Sequence, residues 1–222
     1  MTTNSHRPYG VYERFFKRPL DFVCGLAAVV VFCWLYLIVA ILVRVKLGSP
    51  ILFTQERPGK NEKIFKLYKF RTMTDARDEN GNLLPDEVRL TKFGRMLRAT
   101  SLDELPEAFN IIKGDMSIIG PRPLLISYLP WYSEQERHRH DVRPGLSGLA
   151  QINGRNFVDW NHRLAFDVEY VNRITFIGDM RIIMQTVLKF VKKEDIAVDT
   201  NKVEPNFAEE RQLQLKIREG EK

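Results

Sequence analysis

The stretch Phe22–Val43, FVCGLAAVVVFCWLYLIVAILV, contains no charged residue and constrains the chain more than any other feature. It reaches the roughly 20 apolar residues that a membrane-spanning helix needs. It exceeds the apolar region of a cleavable signal peptide, and no small-residue cleavage site follows it. So long an uncharged run is also a poor fit to the core helix of a water-soluble domain, which keeps a polar face. Arg7, Arg14, Lys17 and Arg18 precede it, and Arg44, Lys46, Arg57, Lys60 and Lys63 follow it. Basic flanks prefer the cytoplasm. A straight span would carry one of these flanks across the membrane, whereas a helix that enters and leaves by the same face keeps both. Hydropathy alone favours the span, and the flanks favour re-entry. Lys17, Arg18 and Asp21 stand at the start of the segment and are expected at headgroup depth, where the simplest role is snorkelling.

Of 222 residues, 44% are hydrophobic, enough for one domain with its own core and too many for a disordered chain. The formal net charge of +6 suits an anionic partner, whether nucleic acid, acidic lipid or a phosphorylated substrate, and does not choose among them. No nucleic-acid-binding motif is present, so no nucleic-acid partner is expected. Cys24 and Cys33, the only cysteines, both lie in the apolar run, which argues against a disulfide framework. No Cys/His spacing resembles a zinc site.

The remainder reads as an α/β body, mainly helical. Ile51–Gln55 and Lys63–Arg71 have strand character and flank the turn residues Glu56–Asn61, which predicts a β-hairpin just outside the membrane. Asp75–Glu87 is polar, with Asn80-Gly81 and Pro85, and reads as an exposed loop. Val88–Leu97, Leu124–Arg137, Asn161–Asn172 and Arg181–Lys193 read as helices, and Val142–Asn156 as a loop rich in glycine and arginine. The helix Arg181–Lys193 is basic and amphipathic, fit either for an anionic bilayer surface or for the core. From Glu194 onward the chain is charged and reads as frayed. The expected division is a tail at 1–18, a membrane-embedded helix at 19–46, a compact body at 47–200 and a C-terminal tail at 201–222.

The segment Ser101–Lys113, SLDELPEAFNIIK, holds the most suggestive chemistry. Ser101 and Glu104 have capping-box spacing, but Pro106 fits best at the first helical position. The helix is then expected to begin near Leu105, with Asp103 and Glu104 on the loop before it and Gly114-Asp115 as the stop. A phosphate at such a helix start meets free backbone N–H groups. One carboxylate could attack phosphorus while the other holds Mg²⁺ or orients the first. From spacing alone, the simpler account is that these residues cap and charge the helix. Arg122 is held between two prolines, where a guanidinium suits a pair of phosphate oxygens. Arg143 in VRPG and Arg155 in NGRN sit in glycine-containing loops that allow close approach of a ligand.

Taken in order, the motifs KRPLD, FTQERPG, FKLYKFRTM, SLDELPEAFNIIKGDMSIIGPRP, HRHDVRPG and GLAQINGRN resemble the bacterial monotopic phosphoglycosyl transferases, from about Lys17 to about Lys193. The resemblance is nearest to the small members that begin glycan assembly in protein N-glycosylation, whose donor is UDP-diacetylbacillosamine. Members that start capsule or O-antigen synthesis from a UDP-hexose or UDP-N-acetylhexosamine are similar. The resemblance implies an enzyme of the inner membrane, its body on the cytoplasmic face, that moves a sugar 1-phosphate from a UDP-sugar to polyprenol phosphate with release of UMP. It implies Asp103 as the nucleophile of a ping-pong reaction, Glu104 beside it at the carboxylate pair and metal, Mg²⁺ as cofactor, and Arg122 on phosphate. Arg98 and Arg155 match further family positions. It also implies a re-entrant membrane helix and amphipathic interfacial helices in contact with membrane lipids, and leaves a homodimer open. In the family a Ser-Pro pair commonly breaks the membrane helix. Cys33-Trp34 stands at that place here, so the usual cause of a sharp break is missing. Outside the enzyme class, the alternative is a non-catalytic membrane adaptor with a basic surface.

Overall fold

The apolar run folds as two helices rather than one. After a π-helical turn at Tyr12–Phe16, α1 (Lys17–Val31) and α2 (Cys33–Leu47) meet at 64°. The computed structural model describes residues 6–154, 158–192 and 206–220, and among these no single helix is long and apolar enough to cross a membrane. The bend falls on Phe32, at φ −100° and ψ 15°, one residue before Cys33-Trp34. No proline is needed, because the hydrogen bonds survive the turn. Phe32 N–H donates to Ala28 O at 3.0 Å, and its own carbonyl accepts from Leu35 and Tyr36 at 2.9 and 3.0 Å. Val23, Val30, Val31, Trp34, Leu37 and Val45 are exposed on the outside of the bent pair.

Docking onto the body holds the angle. Gly25 of α1 lies against the helix α5 (Glu107–Lys113), so close that a Cβ there would sit 3.2 Å from Ile111 Cγ2. Arg18 donates to the carbonyls of Ile111 and Ile112 at 2.7 and 2.9 Å, near the end of α5 where carbonyls lack helical partners. Asp21 is buried and accepts from Ser117 Oγ at 2.6 Å and Ile118 N–H at 3.0 Å. Lys17 and Tyr12 both donate to Asp179, at 2.7 and 2.8 Å. The polar groups of Lys17, Arg18 and Asp21 are therefore taken up by protein partners. At the other end of α5, Tyr36 of α2 donates to Leu105 O at 2.5 Å. The two arms of the apolar pair thus grip the two ends of one short helix.

The hairpin forms, with shifted bounds. Strand β1 (Leu52–Pro58) runs antiparallel to β2 (Ile64–Phe70), with Phe53 opposite Lys69 and Arg57 opposite Phe65. Glu56 and Arg57 belong to the strand, and the turn lies at residues 59–63, where Asn61 and Glu62 take positive φ. The helix read over Val88–Leu97 is two helices, α3 (Asp86–Arg89) and α4 (Lys92–Ala99). Thr91 separates them, its hydroxyl accepting from Gly94 N–H at 3.0 Å to start α4 afresh. The stop of α5 is as expected: Gly114, at φ 93°, returns its N–H to Asn110 O and Ile111 O.

Two further segments depart from the sequence reading. Leu124–Arg137 is a 3₁₀ stretch at Ile126–Trp131, containing Pro130, and then a short helix α6 (Glu134–Arg137). Proline withholds an N–H in the middle, and Ser133 restarts the chain with a capping box to Glu136. Within Val142–Asn156 lie β4 (Gly145–Ser147), paired in parallel with β3 (Ser117–Ile119), and α7 (Leu149–Ile152). A glycine is required there, since a Cβ on Gly145 would lie 2.1 Å from Gly120 N. Helix α8 (Trp160–Asn172) matches its expected span, and α9 (Phe176–Lys192) begins a full turn earlier than expected. The segment expected to fray instead ends in a helix, α10 (Phe207–Gly220), and Phe207 is fully buried among Tyr128, Tyr132 and Trp160.

Candidate active site

Asp103 and Glu104 stand on a 3₁₀ turn, Leu102–Glu104, immediately before α5, as the position of Pro106 predicts. The expected capping box does not form. Ser101 is left-handed, at φ 51°, and makes no cap hydrogen bond, while the Glu104 side chain is used elsewhere. Glu104 Oε1 accepts from Lys69 Nζ at 2.7 Å and from Arg122 Nη2 at 2.8 Å. Lys69 also lies 3.2 Å from Glu107 Oε1. Arg98 of α4 donates to Thr72 Oγ1 at 3.1 Å, and its positive charge is felt at Asp103.

Four short elements meet to make this cluster. Lys69 comes from β2, Asp103 and Glu104 from the 3₁₀ turn, Glu107 from the first turn of α5 and Arg122 from the chain after β3. Asn110 holds the sheet to the helix. It is fully buried, accepts from Tyr68 N–H at 3.0 Å and donates to Lys66 O at 2.8 Å. Behind it, Phe65 and Leu67 pack with Ile111 and Met116. An unpaired backbone group in that seam would be costly, so Asn110 fixes the register between α5 and β2.

The carboxylates are driven apart in acidity. Burial, and then the neighbouring Glu104, raise Asp103 to about 6, against a smaller opposing pull from Lys69 and Arg98. Burial disfavours ionisation at Glu104 too, but Arg122 and Lys69 outweigh it and hold this carboxyl well below the usual range. Glu107 is raised to about 7 by burial and by Glu104. At Lys69 burial works against the charge, and Glu104 and Glu107 overcome it, so the ammonium is kept. The result is one carboxylate pinned in the ionised form beside a second that titrates close to neutrality. A difference of this kind between adjacent groups is what acid, base and nucleophile assignments rest on.

The structure brings Asp103, Glu104, Arg98 and Arg122 together. Arg143 is elsewhere, donating to Gly114 O at 2.7 Å at the far end of α5. Arg155 lies outside the described residues. Sequence reasoning missed Lys69, Glu107 and Asn110. A signal for Lys69 was present, because strand alternation puts it on the same face as the buried Phe65 and Leu67, an unusual place for a lysine. Among the described residues, no three His, Cys, Asp or Glu side chains form a ready-made metal cage. A magnesium ion does not need one, since it commonly takes one or two carboxylates and completes its shell with phosphate oxygens and water. The hard oxygens of Asp103 and Glu104 suit that pattern. Asp103 is the better placed, because Glu104 Oε1 already holds two cations while no side-chain donor among the described residues bonds Asp103.

A buried carboxylate pair with unequal acidities, ringed by lysine and arginine at a helix start, has the charge arrangement that phosphate chemistry can use. The chain belongs to the bacterial sugar transferase family, whose profile matches residues 12–193. It is 56% identical over 154 residues to the uncharacterized sugar transferase EpsL of Bacillus subtilis, covering 69% of this chain and 76% of that protein. The undecaprenyl-phosphate galactose phosphotransferase of Salmonella typhimurium is 35% identical over 82% of this chain and 42% of its own length. The UDP-N-acetylgalactosamine-undecaprenyl-phosphate N-acetylgalactosaminephosphotransferase of Aeromonas hydrophila is 33% identical over 81% of this chain and 44% of its own. This chain therefore spans less than half the length of the latter two relatives.

Proposed function

We propose that the chain transfers a sugar 1-phosphate from a UDP-sugar to undecaprenyl phosphate, or a similar polyprenol phosphate, and releases UMP. The observation that carries the reading is the asymmetric pair: Glu104 is held ionised by Lys69 and Arg122, and Asp103 beside it becomes an ionised, buried nucleophile above a pH of about 6. The Asp103 carboxylate attacks the β-phosphorus, which bears the sugar. The bond from that phosphorus to the bridging oxygen breaks, and UMP leaves with the electron pair. An oxygen of the polyprenol phosphate then attacks the phosphosugar-aspartate at the same phosphorus. The Asp103 carboxylate is expelled and polyprenyl diphosphate-sugar is formed. Arg122, Lys69 and Arg98 supply positive charge where the phosphoryl oxygens gain negative charge.

Mg²⁺ is the cofactor this reading implies, with Asp103 and secondarily Glu104 as its protein ligands, and when bound it would neutralise substrate phosphate charge. For the donor, the two relatives named for galactose and N-acetylgalactosamine transfer favour a UDP-hexose or UDP-N-acetylhexosamine, used in surface polysaccharide assembly. UDP-diacetylbacillosamine is the second choice.

The bent pair α1–α2 is read as a re-entrant hairpin in the cytoplasmic leaflet of the inner membrane. Its exposed apolar side chains, its 64° bend and the basic residues on both flanks support this. Exposed Ile177, Met184, Val187 and Val191 on α9 fit a helix lying at the lipid surface. Labelling of single cysteines placed near Tyr9 and at Lys46, in a chain lacking Cys24 and Cys33, checks the topology. Both should react only from the cytoplasmic side, and periplasmic labelling of Tyr9→Cys would rule re-entry out.

The reaction is tested by UMP release from purified protein with Mg²⁺, undecaprenyl phosphate and a panel of UDP-sugars. Release with one sugar, absent in Asp103→Asn, is expected. Equal release by the variant would remove Asp103 from its role, and no release with any sugar would favour the adaptor.

A further inference from the structure

Arg57 occupies a position that the chemistry above leaves unused. In β1 it stands directly opposite Phe65. Opposed residues of an antiparallel pair share a face, and Phe65, Leu67 and Lys69 all lie on that face. It is the face that packs on α5 and delivers Lys69 to Glu104 and Glu107. The next residue, Pro58, is buried, and proline holds the residue before it in an extended backbone. Gly59 follows in tight contact, where a Cβ would lie 3.1 Å from the Phe65 ring. The FTQERPG segment is therefore a rigid mount for one guanidinium.

Among the described residues that guanidinium forms no ion pair, although it feels the charge of Glu107. Arg57 Nη2 donates to Gln55 Oε1 at 2.7 Å, and Nε is buried with no acceptor among the described residues. Other arginines of the body differ: Arg122 is paired with Glu104, Arg139 with Asp167 and Arg137 with Glu62. Arg57 is half-buried, and burial followed by the positive charge of Arg122 lowers its pKa to about 10. Two guanidinium groups are thus set close enough to repel, one of them with a buried N–H left over. A forked cation in that situation is completed by an anion that can take two or more N–H groups, and phosphate is the natural candidate.

We propose that Arg57 is a phosphate-binding residue that works with Arg122 as a two-guanidinium clamp on substrate. The identity of the ligand rests on the phosphoglycosyl transferase reading. The phosphate can belong to the diphosphate of the UDP-sugar or to the head of the polyprenol phosphate. The clamp requires no covalent role for Arg57, and Gln55 orients it.

The test uses the full-length protein in detergent with Arg57→Gln and Arg57→Lys. UDP is titrated by calorimetry, and KM is measured for the UDP-sugar and for undecaprenyl phosphate. If the donor diphosphate is the ligand, UDP affinity falls about tenfold or more in Arg57→Gln. The UDP-sugar KM then rises while the undecaprenyl phosphate KM holds. If the lipid phosphate is the ligand, the acceptor KM rises by a similar factor and UDP affinity is unchanged. Arg57→Lys keeps the charge but loses the fork, so it should recover only part of the loss. A variant that lowers Tm yet leaves both KM values and the UDP affinity unchanged would overturn the proposal and make Arg57 structural. So would a wild-type protein that binds no UDP and has no measurable KM for the lipid. UDP binding without turnover by the wild type would sink the transferase reading alone, because the affinity arm still reports on Arg57.

Discussion

Two buried charge clusters in this body are built to opposite ends. In the first, Arg139 is 2% exposed and donates Nε and Nη2 to Asp167 at 3.0 and 2.8 Å, and Nη2 also to Arg122 O at 2.7 Å. The Arg139 guanidinium meets the Asp167 carboxylate, which Arg163 also favours in its ionised form, and the leftover donor meets a backbone carbonyl. In the second, Asp103, Glu104 and Glu107 crowd around Lys69 and Arg122, and the cations are spent on Glu104 first. The first cluster is closed and serves as a strut that sets the backbone of Arg122. The second is left with a carboxylate whose ionised form is disfavoured, which is a poor way to stabilise a fold and fits the nucleophile proposed above. A buried ion pair is therefore no guide to function by itself, and the count of partners per charge is the more telling feature.

The contrast can be broken most sharply by activity. On the proposed mechanism, in which Asp103 is the covalent nucleophile, Asp103→Asn should lower turnover by roughly a thousandfold or more, with little change in Tm. A variant that unfolds would show Asp103 to be a strut as well. The strut should respond in the opposite sense. Arg139→Met takes from the buried Asp167 its hydrogen-bonded cation and leaves it the charge of Arg163, and the expected cost is about 3 kcal/mol of stability, read by denaturant unfolding. Selective loss of turnover at full stability would contradict the division.

A smaller effect sharpens the electrostatic half of the comparison. Asp103 is raised to about 6, so the inert protonated acid accumulates as pH falls through that value, and kcat/KM should drop about tenfold per unit below it. Glu107, raised to about 7, titrates in a neighbouring range. Glu107→Gln should leave a single bend in the acid limb, and loss of that bend would assign it to Glu107 instead. The smallest expected effect concerns the support of Arg98. A Cβ on Gly94 would lie 1.8 Å from Thr72 O. Gly94→Ala should therefore push α4 off the segment that follows β2 and cost about 1–3 kcal/mol, with a modest rise in donor KM. An unchanged Tm would show that the two backbones can part freely.

Local signals were legible wherever one residue type acts through its own backbone. Pro106 placed Asp103 and Glu104 ahead of α5, Gly114 ended that helix, and turn residues between two apolar runs marked the hairpin. The failures share another cause. Pro130, Thr91 and Ser133 each break an apolar pattern that looks continuous in hydropathy, because a missing N–H or a capping hydroxyl outweighs side-chain periodicity. The strand β4 was invisible because three residues among glycines carry no period, and its partner β3 is far away in sequence. Phe207 was lost in a polar tail, since nothing local shows that Tyr128, Tyr132 and Trp160 form a pocket for its ring.

By itself the sequence determined the apolar run with basic residues on both sides, the adjacent carboxylates before a proline-started helix, and the arginine held between two prolines. These depend on composition and on neighbours within a few residues. Only the tertiary structure decided that the run bends at Phe32, because the angle is set by Arg18, Gly25 and Tyr36 docking on α5 rather than by a residue that breaks helices. It also decided which carboxylate is pinned and which is left to titrate. That outcome follows from where Lys69 and Arg122 arrive, 35 and 18 positions away from Glu104, and charge interactions depend on distance in space and on burial, neither of which is written in the order of residues.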